Sequence, residues 1–117
     1  MPNVVVPPAP VTPAPVSDTT SPSMPANFNA MLIVALGYPV DLSWNASSDN
    51  VSVLGYNVYK AGVKVATTSS LQYRDPTITA GGSIKYGVEA FDALGNVSQR
   101  ASYTLKTSCF LFFCRKY

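Results

Sequence analysis

The chain of 117 residues holds no histidine, so its chemistry must come from six carboxylates, two cysteines, hydroxyls and aromatic rings. Without imidazole, Ser-His-Asp and Cys-His catalysis are excluded, as are zinc sites that use imidazole. The carboxylates are Asp18, Asp41, Asp49, Asp75, Glu89 and Asp92. Asp41 and Glu89 fall at outward positions of strand-like runs, and the other four fall in turns. A glycosidase pair needs two facing carboxylates about 5 to 10 Å apart in a cleft. A small body of short strands offers no such cleft, so the expectation is a protein that is not an enzyme. Asp49-Asn50 and Asp92 with Asn96 have two uses. They could converge as oxygen ligands for calcium, or they could bend their own loops through side-chain to backbone hydrogen bonds. The second use is the expectation, and no cofactor is assigned.

The remaining groups suit binding. Tyr59, Phe91 and Tyr38 sit where a ring could face solvent, and aromatic rings stack on sugars or anchor protein interfaces. Single exposed apolar side chains are also ordinary. The final segment, Ser108 to Tyr117, carries Phe110, Leu111, Phe112 and Phe113 in a row, an aggregation hazard if left in water. Either it folds over the domain's own sheet or it inserts into a neighbouring subunit. Read as one strand, this tail would hold Cys109 and Cys114 about 16 Å apart, beyond disulfide reach. An internal bridge would require the four residues between to form a tight loop; free buried thiols are the default, with bridges between chains possible in an oxidising compartment.

Composition narrows the partners. Hydrophobic residues make up 47% of the chain and charged residues only 12%, with a net charge of +2. Much of the surface is therefore Ser, Thr, Asn and Tyr. Lys and Arg are scattered apart from Arg115-Lys116, which leaves no electrostatic footprint for nucleic acid. No apolar run approaches the ~20 residues of a membrane span, and Met1-Pro2-Asn3 does not open an export signal. The three Asn-x-Ser sequons at Asn45, Asn50 and Asn96 matter only in a glycosylating route.

Eight of the ten prolines lie in the first 25 residues, among Val, Ala and Thr. That composition favours extended polyproline II and cannot bury a core. Residues 1–22 are read as an arm, either a semi-rigid spacer or a strap docking on a neighbour through Pro7 and Pro8. From residue 23 the pattern changes to short β-type runs separated by turns, typical of a sandwich or barrel. The runs are about 27–33, 39–44, 54–60, 63–67, 71–74, 84–91 and 101–106, with a tight hairpin at Ala61-Gly62. Their period of two puts Val40, Leu42, Trp44, Tyr56, Val58, Ile84, Tyr86, Val88 and Ala90 in the core. The domain is 23–107 and the apolar docking tail 108–117.

In order, Asp18-Thr19-Thr20-Ser21-Pro22-Ser23-Met24-Pro25, Leu42-Ser43-Trp44-Asn45, Ser48-Asp49-Asn50-Val51, Gly55-Tyr56-Asn57-Val58-Tyr59-Lys60 and Phe91-Asp92-Ala93-Leu94-Gly95-Asn96-Val97-Ser98 resemble the bacterial and phage type of fibronectin type III domain. The resemblance covers about 18–107. It implies an all-β, seven-stranded, immunoglobulin-like Greek-key sandwich with Trp44 at its centre. It also implies that the loops of Asp49-Asn50 and Asp92-Asn96 share one pole. One position departs: the tyrosine of the family's corner motif is here Ile84, so the corner hydrogen bond is expected to be absent and that end held by apolar contact alone. The Arg-Gly-Asp of some members is also missing.

Two functions follow as expectations. The first is a structural or decoration protein of a larger assembly, a bacteriophage virion, docking through arm and tail on protein subunits, with host surface glycans as a further candidate partner. The alternative is an extracellular accessory spacer or weak carbohydrate-binding module of a secreted bacterial protein.

Overall fold

The computed structural model describes residues 18–33, 39–76, 82–110 and 113–116, with side chains described through residue 107. Tyr38, Leu111, Phe112, Pro7 and Pro8 lie outside the described residues, as do the side chains of Phe110 and Phe113. The strands are β1 (Ala26–Leu32), β2 (Val40–Asn45), β3 (Val53–Lys60), β4 (Val63–Thr68), β5 (Gln72–Asp75), β6 (Gly82–Asp92), β7 (Ala101–Phe110) and β8 (Phe113–Lys116). No helix occurs among the described residues. One sheet has the order β1-β2-β5 and the other β4-β3-β6-β7-β8, all neighbours antiparallel. Crossings between sheets at β2 to β3, β4 to β5 and β5 to β6 give the Greek-key sandwich. Seven strands build it, and β8 is an addition.

Alternation explains the core. In β2, Val40, Leu42 and Trp44 are buried while Ser43 and Asn45 face outward. They meet Tyr56, Val58, Tyr86, Val88, Ala90 and Leu105 from the opposite sheet. Trp44 is 4% exposed, packed edge-on to Phe28 at 6.2 Å and tilted against Tyr56 at 5.5 Å. Ile84 is half-buried against this cluster. β6 is buried on both faces from Tyr86 to Ala90, because the facing sheet covers one face and the side chains of Asn57, Tyr59 and Arg100 lie over Gly87 and Glu89 on the other.

The end opposite the pole is not held by apolar contact alone. The Tyr86 hydroxyl donates to Asp75 Oδ2 at 2.6 Å, and Lys60 Nζ reaches the same oxygen at 2.7 Å. With Ile84 in the corner position, Tyr86 ties β6 to β5 through a carboxylate rather than to backbone. The β3–β4 turn carries positive φ at both Ala61 (52°) and Gly62 (82°), the conformation a two-residue hairpin matching strand twist requires.

The tail corrects the single-strand expectation. β7 runs on past the end of β6, whose Gly82 pairs with Thr107, and β8 returns along it. The register pairs Thr107 with Lys116, Cys109 with Cys114 and Phe110 with Phe113. Cys109 and Cys114 therefore stand opposite each other on adjacent strands, not ~16 Å apart along one.

Candidate functional site

Three segments meet at the pole where β2, β6 and β1 have their adjoining loops: residues 18–25, 46–52 and 93–100. Each is built locally. The Tyr56 hydroxyl, rooted in the core, accepts from the Ser47 amide at 3.0 Å and holds the β2–β3 loop. Ser23 clips the leading segment to that loop, donating its amide to the Ser48 carbonyl at 2.8 Å and accepting from the Ser48 amide at 2.9 Å. In the β6–β7 loop, Gly95 takes a φ of 88° that a side chain would strain. Asn96 then donates to the Asp18 carbonyl at 2.7 Å and to Asp92 Oδ2 at 2.9 Å, bridging the two segments. Of residues 18–22, assigned by composition to the arm, Asp18 and Pro22 are buried and Asp18 is tied to the body through Asn96, while Thr19, Thr20 and Ser21 are exposed.

At the centre of this pole lie Asp18, Asp49 and Asp92, with a carboxylate oxygen of each within 4.8 Å of the others. Each aspartate spends one oxygen on its own loop. Asp18 Oδ1 accepts from the Thr20 amide at 3.0 Å, Asp49 Oδ2 from Val51 at 3.4 Å, and Asp92 Oδ1 from Leu94 at 2.9 Å and Asn96 at 3.0 Å. The loop-bending role expected of Asp49 and Asp92 is therefore present. Asp18 Oδ2 and Asp49 Oδ1 remain buried without a hydrogen-bond partner. Burial raises the Asp92 carboxyl, but the hydrogen bonds from Asn96 and Leu94 outweigh it and hold its pKa below the ordinary carboxylate value. The donor set is oxygen only.

The other three carboxylates each have a cation. Asp75 pairs with Lys60 at 2.7 Å, Asp41 with Arg74 at 2.6 Å and Glu89 with Arg100 at 3.4 Å. No ion pair among the described residues reaches Asp18, Asp49 or Asp92.

The aromatic candidates are less available than their sequence positions imply. Tyr59 is half-buried, with the Arg100 guanidinium 3.5 Å above its ring and its hydroxyl donating to Glu89 Oε2 at 3.0 Å. Burial and the Glu89 carboxylate push its phenol upward. Glu89 is outward-facing as expected, yet 8% exposed, because Asn57, Tyr59 and Arg100 close over it. Phe91 lies against Gly55, where an added Cβ would stand 2.9 Å from the ring. The depression beside Tyr59 holds about 90 Å³, and another lined by Asp41, Gln72, Tyr73 and Arg74 about 210 Å³. Ligand pockets usually hold ~300 Å³ or more.

Sequence reasoning missed Asp18 as a partner of Asp49 and Asp92, and missed the Asp75–Tyr86–Lys60 tie. Asp18 could have been found only from its place in the Asp18-to-Pro25 stretch, once that stretch was put against the pole.

No family model matches the chain. An alpha-amylase of Niallia circulans is 45% identical over 83 residues, covering 71% of this chain and 6% of the enzyme. Exoglucanase B of Cellulomonas fimi is 40% identical over 81 residues, covering 69% of the chain and 7% of the enzyme. Chitinase Chi52 of Paenibacillus xylanexedens is 45% identical over 84 residues, covering 72% and 16%. The chain thus spans a small fraction of the length of these relatives. Among solved structures, chitinase ChiA74 from Bacillus thuringiensis superposes with a TM-score of 0.69 at 28% identity, over 82% of this chain and 15% of that one. The protein FN3tt superposes with a TM-score of 0.64 at 19% identity, over 76% of this chain and 97% of that one. The two sheets, the Trp44 core, the ordered motifs and these likenesses agree: the chain belongs to the fibronectin type III domains, of the type found within bacterial polysaccharide-degrading enzymes.

Proposed function

We propose that this domain is a non-catalytic accessory spacer of an extracellular bacterial polysaccharide-degrading enzyme. The observation that carries the reading is the set of relatives. A module of 40 to 45% identity recurs in an amylase, an exoglucanase and a chitinase, enzymes named for different polymers. A segment shared by such different enzymes is not what selects the polymer. Its surface supports the same reading, because the Tyr59 ring is capped by Arg100 and the Phe91 ring lies on Gly55. A proline-rich segment preceding the body suits a spacer, since such segments stay extended. Enzymes that attack insoluble polymers must meet them outside the cell, which is the basis for the extracellular location.

The virion reading draws no support from these relatives, which are enzymes rather than particle proteins. Docking of the arm and of the Phe110–Phe113 tail on a protein neighbour is compatible with a spacer, the neighbour then being an adjoining domain.

The test is co-sedimentation of the full chain with insoluble chitin, cellulose and starch. A spacer stays in the supernatant with all three. Depletion by one polymer, reversed by its soluble oligosaccharide, would replace the spacer reading with a carbohydrate-binding one.

A further inference from the structure

We propose that Asp18, Asp49 and Asp92 form a calcium site that fastens the leading segment of the chain to the pole of the sandwich. This goes beyond the spacer reading and does not depend on it. The carboxylate inventory leads there. Three of the six carboxylates have a Lys or Arg partner, and the three that have none among the described residues are gathered with oxygens within 4.8 Å of one another. Three like charges at that spacing repel strongly, the more so away from water.

A second observation is independent of the clustering. Asp18 is 8% exposed, and its Oδ2 is buried with no hydrogen-bond partner. Asp49 Oδ1 is in the same condition. A buried carboxylate oxygen without a donor is costly, and native proteins rarely leave one without a reason such as a bound ion. Here a cation at the centre would satisfy both oxygens at once.

The geometry selects the ion. Two oxygens on one calcium, each at about 2.3 to 2.6 Å, can be at most about 5 Å apart. A spread of up to 4.8 Å fits inside that limit. The cluster offers hard oxygens, with no histidine in the chain to favour zinc or a softer metal. Three carboxylates leave several of calcium's six to eight positions for water, which places the affinity in the weaker range of extracellular modules, about 0.1 to 1 mM.

The ligands come from three separate segments, so binding would join them. Asn96 already bridges the Asp18 carbonyl and the Asp92 carboxylate. With the ion in place, the point where the proline-rich segment enters the body becomes a fixed joint. Without it, Asp18 is held by hydrogen bonds alone and repelled by its neighbours.

The full chain, stripped with EDTA, is melted in EGTA, in calcium chloride up to 10 mM and in magnesium chloride up to 10 mM. Calcium is expected to raise the melting temperature by about 5 to 10 °C at the highest concentration, and magnesium by less. Titration calorimetry with calcium chloride alone should give one site per chain. Asp49→Asn and Asp18→Asn should each abolish most of the calcium response. In EGTA both should melt at or above the wild-type temperature, because each removes one of three crowded charges. A rise of less than about 1 °C in calcium with no calorimetric binding would overturn the proposal, as would an Asp49→Asn chain that keeps the full response.

Discussion

Replacing Tyr86 with Phe removes one hydroxyl and leaves the ring in place. That hydroxyl donates to Asp75 Oδ2 at 2.6 Å, in a position where Tyr86 is 1% exposed and Asp75 6%. A hydrogen bond to a charged group contributes roughly 1.5 to 3 kcal/mol. Lys60 remains on the same oxygen at 2.7 Å, so the carboxylate is not left bare and the lower part of that range applies. No cavity larger than an oxygen forms. The expected loss is about 1.5 to 2 kcal/mol at neutral pH, read by urea denaturation of the full chain followed by fluorescence.

The pH dependence tests the cause. Burial first, then the hydrogen bond to Asp75 and its charge, push the Tyr86 phenol well above the ordinary tyrosine value. Its folded pKa exceeds its unfolded value of about 10. The tie is therefore fully present below pH 10 and is lost as pH rises through the folded value, because only the unfolded chain can then release that proton. The wild-type chain should lose this contribution progressively above about pH 10 while the Phe variant does not, so the gap between them should narrow. The two chains differ in no other titratable group. A gap below about 0.5 kcal/mol at pH 7, or one that widens as pH rises, would refute the assignment of this tie.

The remaining predictions concern the core, a turn and the tail. Trp44→Ala should cost about 3 to 5 kcal/mol and unfold a domain of this size; a cooperative melt near the wild-type temperature would contradict its central place. Ala61→Gly should stabilise by about 0.5 to 1 kcal/mol by relieving a left-handed alanine, seen as a higher urea midpoint with unchanged slope. Cys109 and Cys114, paired across β7 and β8, should close a disulfide under oxidising conditions, since cross-strand Cα spacings of about 4.5 to 5.5 Å fall within disulfide range. Alkylation followed by mass spectrometry before and after reduction reads this directly, and two alkylated thiols in the oxidised, unreduced monomer would contradict it.

Much of the fold was legible because burial in a sandwich alternates with a period of two. Val40-Asp41-Leu42-Ser43-Trp44 announces one buried face, and the alternation places β2 in the structure within a residue of its expected position. Ala61-Gly62 announces its hairpin for a similar local reason, since two residues alone must take positive φ there. Such patterns say which face a side chain occupies. They do not say what lies above that face.

Glu89 illustrates the limit: it faces outward, yet Asn57 and Tyr59 from a strand more than 28 residues earlier and Arg100 from the next loop close over it. Tyr59 and Phe91 lose their open ring faces for the same reason, to Arg100 and Gly55.

What the chain's own order of residues determined is the all-β sandwich, its central tryptophan and the absence of imidazole chemistry, all properties of local alternation and composition. Tertiary structure alone decided which carboxylates pair with a Lys or Arg and which, among the described residues, gather without one. Asp18, Asp49 and Asp92 are separated by 31 and 43 positions, and Coulomb interactions depend on distance through space, a quantity that exists only once β2, β6 and the leading segment have converged on one pole.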